Sequence, residues 1–189
     1  MENENLQETK PQSIKPELIK EIISWAKMIV FALVFALVIT NFVIVNATVP
    51  SGSMKDTINV NDRIVAFRLA YLFSEPERFD IIVFRFPDKE TELYVKRVIG
   101  LPGDKVEIKK GKVYINDEET PLRDDFAKWK RQDDYGPYYV PEGYYFMLGD
   151  NRDDSADSRA WVNKFVAKEK ILGKVVFKYY PGFKILVGK

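Results

Sequence analysis

The chain of 189 residues contains no cysteine and no histidine. Without cysteine there is no disulfide, thiol nucleophile, iron–sulfur cluster or thiolate zinc site, and cysteine usage gives no clue to the redox compartment. Without histidine, Ser-His triads and imidazole metal sites are excluded. A hydrolase with a side-chain nucleophile is then most simply built on serine or threonine, with Lys, Asp or Glu as the base. Charge of one sign is also missing. Lys and Arg total 29 against 28 Asp and Glu, so no basic field points to nucleic acid and no acidic excess to a basic partner. What is present is an apolar fraction of 46% and 14% aromatics, enough for a packed core.

Residues 1–21 are polar, carry Pro11 and Pro16, and show no sustained apolar face, which predicts a short disordered tail. From Met28 to Met54 no residue is charged, and "MIVFALVFALVITNFVIVNATV" exceeds the ~20 residues that cross a bilayer core. A retained transmembrane helix is predicted over 22–48, with Trp25 and Lys27 at one interface. A cleaved signal sequence fits less well, because its apolar region is typically only ~7–15 residues. Lys10, Lys15, Lys20 and Lys27 precede the span and Lys55, Arg63 and Arg68 follow it, so charge alone does not fix orientation.

After Pro50 the text changes to short runs of β-branched and aromatic residues, predicting strands at 63–69, 80–86, 92–99, 144–149 and 171–180. "KVEIKKGKVYIN" (105–116) reads as a hairpin turning at Lys110-Gly111. The fold class is mainly β, one domain over 49–189 with its core at about 49–102 and 143–181. A charged, tyrosine-rich excursion at about 103–142 is expected to include one helical turn.

Three stretches could carry chemistry. In "VPSGSMKDTI" (49–58), Ser53 follows Gly52, which permits a tightly turned backbone whose amide could face a developing oxyanion, though Gly-Ser pairs are also ordinary linkers. In "LYVKRVIGLPGD" (93–104), strand alternation sets Lys96 on one face with Tyr94 and Val98, where desolvation would lower its pKa toward that of a general base; snorkelling to water is the alternative. "GDNRDDSADSR" (149–159) superficially resembles an oxygen-ligand calcium loop. It lacks a bidentate Glu at the twelfth position, and its Arg152 and Arg159 fit ion pairs with Asp157 or Asp150 better.

"PSGSM" (50–54), "RFDIIVFRFP" (78–87), "YVKRVIGLPGD" (94–104) and "GDNRDDSADSR" (149–159), in that order after a single span, resemble the type I signal peptidases. These are membrane-anchored serine endopeptidases, and the likeness covers nearly all of 49–181. It implies coiled antiparallel β-sheets, Ser53 as nucleophile and Lys96 as general base. It also implies an oxyanion hole from the Ser53 amide and the Ser51 hydroxyl, with Ser155 orienting the lysine, Asp157 and Arg159 bracing the site, and Asp150 and Arg152 in structural roles. Val49, Met54, Val83, Tyr94 and Val95 stand where family members flank an extended substrate and select small residues at the cut. The short excursion and single span are more similar to Gram-positive members. Asp56, Asn61, Phe79 and Val162 depart from the commoner pattern, in which proline or glycine is frequent, and put local turn geometry in question.

The resemblance further implies signal peptides of exported preproteins as substrates, no metal or organic cofactor, and the lipid bilayer and secretion translocon as neighbours. The N-terminus would be cytoplasmic and the catalytic domain extracytoplasmic. Phe67, Leu69, Tyr71, Leu72 and Phe73 are expected to dip into the interface. Two other readings stay open at this point: a Ser-Lys peptidase that cuts itself or one dedicated partner, and a catalytically silent membrane-tethered β-domain that binds peptides.

Overall fold

The computed structural model describes residues 16–186. Two compact units divide near Ile39. The first is the helix α1, Pro16–Val38, continued by one wider turn at Ile39–Val43. Proline opens it where no helical N–H is needed. Over these 28 residues the apolar window reaches a mean hydropathy of 2.5 with none of it buried in the protein, the composition of a membrane span. Two boundaries differ from expectation. The helix already includes residues 16–21, assigned to the tail, while the disordered tail expected for 1–15 lies outside the described residues. Residues 44–48, expected to finish the helix, are instead the first strand.

The second unit is mainly antiparallel β. Strands β1 (Ile44–Thr48), β2 (Arg63–Phe67), β3 (Ile81–Phe86), β4 (Lys89–Gly100), β8 (Tyr144–Leu148), β9 (Val166–Ala167) and β10 (Ile171–Tyr180) form a sheet ordered β1-β2-β10-β3-β4-β8-β9, with β11 (Lys184–Ile185) on β10. Strands β5 (Lys105–Lys109), β6 (Lys112–Ile115) and β7 (Tyr135–Tyr139) form a second sheet ordered β6-β5-β7. The hairpin turns at Lys110-Gly111, both residues having positive φ (49° and 72°), as a tight two-residue turn requires. Among the described residues the excursion contains no helical turn; its only regular element after β6 is β7. Three apolar clusters make the core, and one of them takes in Leu186, beyond the expected limit at 181.

Two features of this topology position the site. β1 is one edge of the sheet, paired among the described residues only with β2. On β4, Leu93–Arg97 pair with β3, but on the other side pairing with β8 covers only Arg97, Val98 and Gly100. Among the described residues the main chain of Glu92–Lys96 therefore lacks a strand partner on that side.

Candidate active site

Ser53 sits in the loop between β1 and β2. Met54 and Ile58, both fully buried, pin this loop to the core, and the Lys55 N–H closes a turn on the Gly52 carbonyl at 3.0 Å. Lys96 lies on β4 opposite Ile82, far along the sequence but adjacent in space. Its Nζ donates to Ser53 Oγ at 2.6 Å and to the Val95 carbonyl at 3.3 Å, and lies 5.2 Å from the centre of the Tyr94 ring. Lys96 is 3% exposed. Burial drives its pKa down from 10.5 to about 8, against the opposing pull of the Asp157 and Asp150 carboxylates.

Ser51 Oγ stands 3.3 Å from Ser53 Oγ. Among the described residues no acceptor pairs with the Ser53 N–H. One face of the site thus offers a hydroxyl held by an amine of lowered basicity, beside an unused backbone donor and a second hydroxyl. That combination can perform acyl transfer.

The acidic loop packs directly behind. The Asp157 carboxylate takes a bidentate pair from Arg159, 2.8 Å on each oxygen, and accepts the Gly149 N–H at 3.0 Å. Arg159 also donates to the Arg152 carbonyl at 2.7 Å. Among the described residues Ser155 Oγ is buried without a hydrogen-bond partner, so it makes no hydrogen bond to Lys96. Asp150 pairs with neither Arg152 nor Arg159. Its bidentate partner is Arg97, at 2.8 and 2.6 Å, with Thr57 donating at 2.6 Å. Arg152 stays buried, pairing with Asp124 at 2.6 Å and donating to the Gly149 carbonyl at 3.0 Å.

The excursion has a part in this that composition did not reveal. The Lys128 N–H donates to the Asp150 carbonyl at 2.9 Å, the Phe126 ring lies 3.9 Å from the Arg97 guanidinium, and Trp129 lies 5.0 Å from that of Arg159. The segment backs the acidic loop rather than wandering free of the sheet. No local pattern marked these contacts, because the cations that Phe126 and Trp129 meet lie on β4 and in the acidic loop rather than within "DDFAKWKR" (124–131).

A cleft of about 830 Å³ runs past Ser53 and Lys96. Of the residues expected to flank a substrate, Val49, Val83, Tyr94 and Val95 line it; Met54 does not, being part of the core beneath the serine loop. Asn46, Glu92, Leu93, Asp154 and Ala156 also line it and were not anticipated. They come from within β1 and β4 and from the acidic loop, whose proximity is purely tertiary.

The departures at Asp56, Asn61 and Phe79 coincide with positive φ, 76°, 67° and 76°, conformations that glycine tolerates best. Asn and Asp accept this region at low cost, whereas Phe79 stores strain of about 1–3 kcal/mol. Its ring packs edge-on to Phe126 at 5.4 Å, and its carbonyl takes a hydrogen bond from Arg97 at 2.8 Å, which offsets the strain. Val162 has ordinary φ and donates its N–H to Asp88 at 2.8 Å, so nothing there requires glycine.

Gly149 tests how tightly the parts are joined. A Cβ there would run into Ser155 Oγ and the Ser53 carbonyl oxygen. Gly149→Ala is expected to displace the serine loop and lower turnover by about tenfold or more, since small misplacements of reacting groups cost about 10²-fold. Normal turnover in a steady-state assay would show that the contact can relax.

Residues 22–180 match the family described as signal peptidase, peptidase S26. The chain is 37% identical over 160 residues to a probable signal peptidase I-2 of Synechocystis, covering 82% of this chain and 72% of that one. It is 39% identical over 171 residues to signal peptidase I S of Bacillus subtilis, covering 86% and 91%. With signal peptidase I of Leptolyngbya laminosa it shares 35% identity over 178 residues, covering 90% and 86%. A lone apolar helix leading into an antiparallel β domain, and sequence kinship across most of its length, make this chain a member of the signal peptidase family, peptidase S26, and a serine endopeptidase.

Proposed function

We propose that the protein is a membrane-anchored Ser–Lys endopeptidase that removes signal peptides from exported preproteins by cutting after small residues. The observation that carries this reading is the 2.6 Å contact between Lys96 Nζ and Ser53 Oγ at a buried lysine. Neutral Lys96 takes the Ser53 proton as Oγ attacks the scissile carbonyl. The Ser53 N–H and the Ser51 hydroxyl receive the oxyanion, a preorganised arrangement in which one lost donor typically costs about 10²–10³ in turnover. Protonated Lys96 gives its proton to the leaving amine, and water activated by the same amine then opens the ester. Asp157 with Arg159, and Asp150 with Arg97, hold the surrounding backbone.

The substrate enters extended. The unpaired edge of Glu92–Lys96 and the segment 46–50 both line the cleft, so a peptide between them gains main-chain hydrogen bonds on either side. Its side chains then alternate, and those facing Val49, Val83, Tyr94 and Val95 meet an apolar lining suited to small groups.

In this reading α1 spans the bilayer with its N-terminus cytoplasmic and the β domain on the far side, where signal peptides leave the membrane and the translocon is nearby. β1 begins at Ile44, one residue after the apolar helix, and Ile44 pairs in register with Phe67. Leu69, Leu72 and Phe73 follow Phe67 and are exposed, Phe73 at 95%, which suits contact with a lipid surface.

Full-length protein in detergent, mixed with a preprotein and analysed by mass spectrometry, tests the reading. Wild type is expected to cut once, after a small residue, and Ser53→Ala to give no product. Equal cleavage by the variant would remove Ser53 from its role; binding of signal peptide without any cut would make the domain a peptide-binding module.

A further inference from the structure

Asn151 belongs to the acidic loop, yet both of its nitrogens address the serine loop. Its side-chain Nδ2 donates to the Gly52 carbonyl at 3.0 Å, and its backbone N–H donates to the Ser53 carbonyl at 3.0 Å. The Gly52 carbonyl and the Ser53 N–H belong to one planar trans peptide unit, so they point in opposite directions. Fixing the carbonyl on Asn151 therefore turns the N–H away from it, and that N–H has no acceptor among the described residues. The Lys55 N–H also binds the Gly52 carbonyl at 3.0 Å, so the oxygen carries two donors. Two donors on one carbonyl polarise the peptide and strengthen its N–H as a donor.

We propose that Asn151 is a positioning residue for the oxyanion hole: its side-chain amide holds the Gly52 carbonyl and so aims and sharpens the Ser53 N–H. This rests on the peptidase reading above. Lys55 alone closes only a local turn, which rocks with the loop. Asn151 ties the same carbonyl to the segment that Asp157 and Arg97 hold fixed through Gly149 and Asp150. The neighbouring Gly149 permits this approach, because any side chain there would meet the Ser53 carbonyl.

The test measures the oxyanion site without relying on turnover. A peptide aldehyde ending in alaninal and the matching peptide amide are titrated against full-length protein by calorimetry. With the aldehyde, Ser53 Oγ bonds to the carbonyl carbon, the carbonyl electron pair moves to its oxygen, and the serine proton passes to Lys96, leaving a hemiacetal oxyanion. The amide occupies the same cleft without that oxyanion. In wild type the aldehyde is expected to bind more tightly. In Asn151→Ala this advantage is expected to fall about 10–10²-fold, below the full loss of a donor because the N–H remains but is no longer aimed. Amide affinity is expected to stay unchanged. Asn151→Asp keeps the shape and removes the donor, so it should show the same loss even if the alanine variant folds poorly. Thr57→Val, which loosens the same loop at Asp150 without touching Gly52, should retain the wild-type ratio. An unchanged ratio in both Asn151 variants, or a parallel fall for aldehyde and amide, overturns the proposal while leaving the peptidase reading standing. A wild type that shows no aldehyde advantage overturns the peptidase reading and the proposal with it.

Discussion

Lys96→Met is expected to abolish peptide hydrolysis and, at neutral pH, to raise the melting temperature. The two effects have one cause. Burial lowers the Lys96 pKa from 10.5 to about 8, so at pH 7 the folded protein holds an ammonium in a site that disfavours it. At about 1.4 kcal/mol per pKa unit the drop corresponds to roughly 3 kcal/mol of destabilisation. Methionine keeps the apolar stem and removes the charge, and after loss of the hydrogen bond to Ser53 a gain of about 2 kcal/mol, or about 4–8 °C, is expected.

The pH dependence fixes the sign. Below pH 8 both folded and unfolded chains hold the proton and the cost is constant; between about 8 and 10.5 the unfolded chain holds more protons, so wild-type stability rises with pH. The advantage of methionine should therefore shrink across that window. Wild-type turnover should climb about tenfold per pH unit toward a plateau above about 8, as the free amine is formed. A variant no more stable at pH 7, or activity falling as pH rises from 6 to 8, would contradict a desolvated base. Thermal melts and pH–rate profiles in the same detergent decide it.

The second large effect concerns Asp150. Asp150→Ala would leave the Arg97 guanidinium, only 7% exposed, without its carboxylate and with just the Phe79 carbonyl and the Phe126 ring for company. Removing one partner of a buried pair costs about 3–5 kcal/mol, far above the 0–1 kcal/mol of a surface bridge. Because Arg97 follows Lys96 on β4, activity should fall with stability. The double variant Arg97→Met with Asp150→Leu is expected to recover most of the lost stability, since an apolar pair of similar volume often replaces a buried ion pair without loss. Denaturant melts giving less than about 1 kcal/mol for Asp150→Ala would show that water reaches the arginine.

Much of this was visible in the amino-acid order. Alternation located the main strands, Lys110-Gly111 gave the hairpin, the missing histidine and cysteine narrowed the residue types, and the resemblance of four motifs singled out Ser53 and Lys96 as candidates. The start of β1 was not visible, because Ile44, Val45 and Thr48 extend an apolar, β-branched run that suits a membrane helix and an edge strand equally. The partner of Asp150 was misjudged for a different reason. Arg152 and Arg159 are near in sequence, but Arg97 pairs in register with Leu148, which brings it to Asp150 across the sheet. Such a contact depends on how β4 and β8 align, and no local pattern encodes that. The same holds for Phe126 and Trp129, whose cations come from β4 and the acidic loop.

Lys96 and Arg97 are consecutive on one strand and so face opposite ways, the ammonium toward the hydroxyl and the guanidinium toward Asp150. A slide of β4 by a single residue in one direction would put Arg97 where Lys96 stands, presenting the Ser53 hydroxyl with a cation that keeps its proton at every accessible pH. Alignment between neighbouring strands, ordinarily a question of how well a sheet holds together, here decides whether an amine able to lose its proton stands beside Ser53 at all.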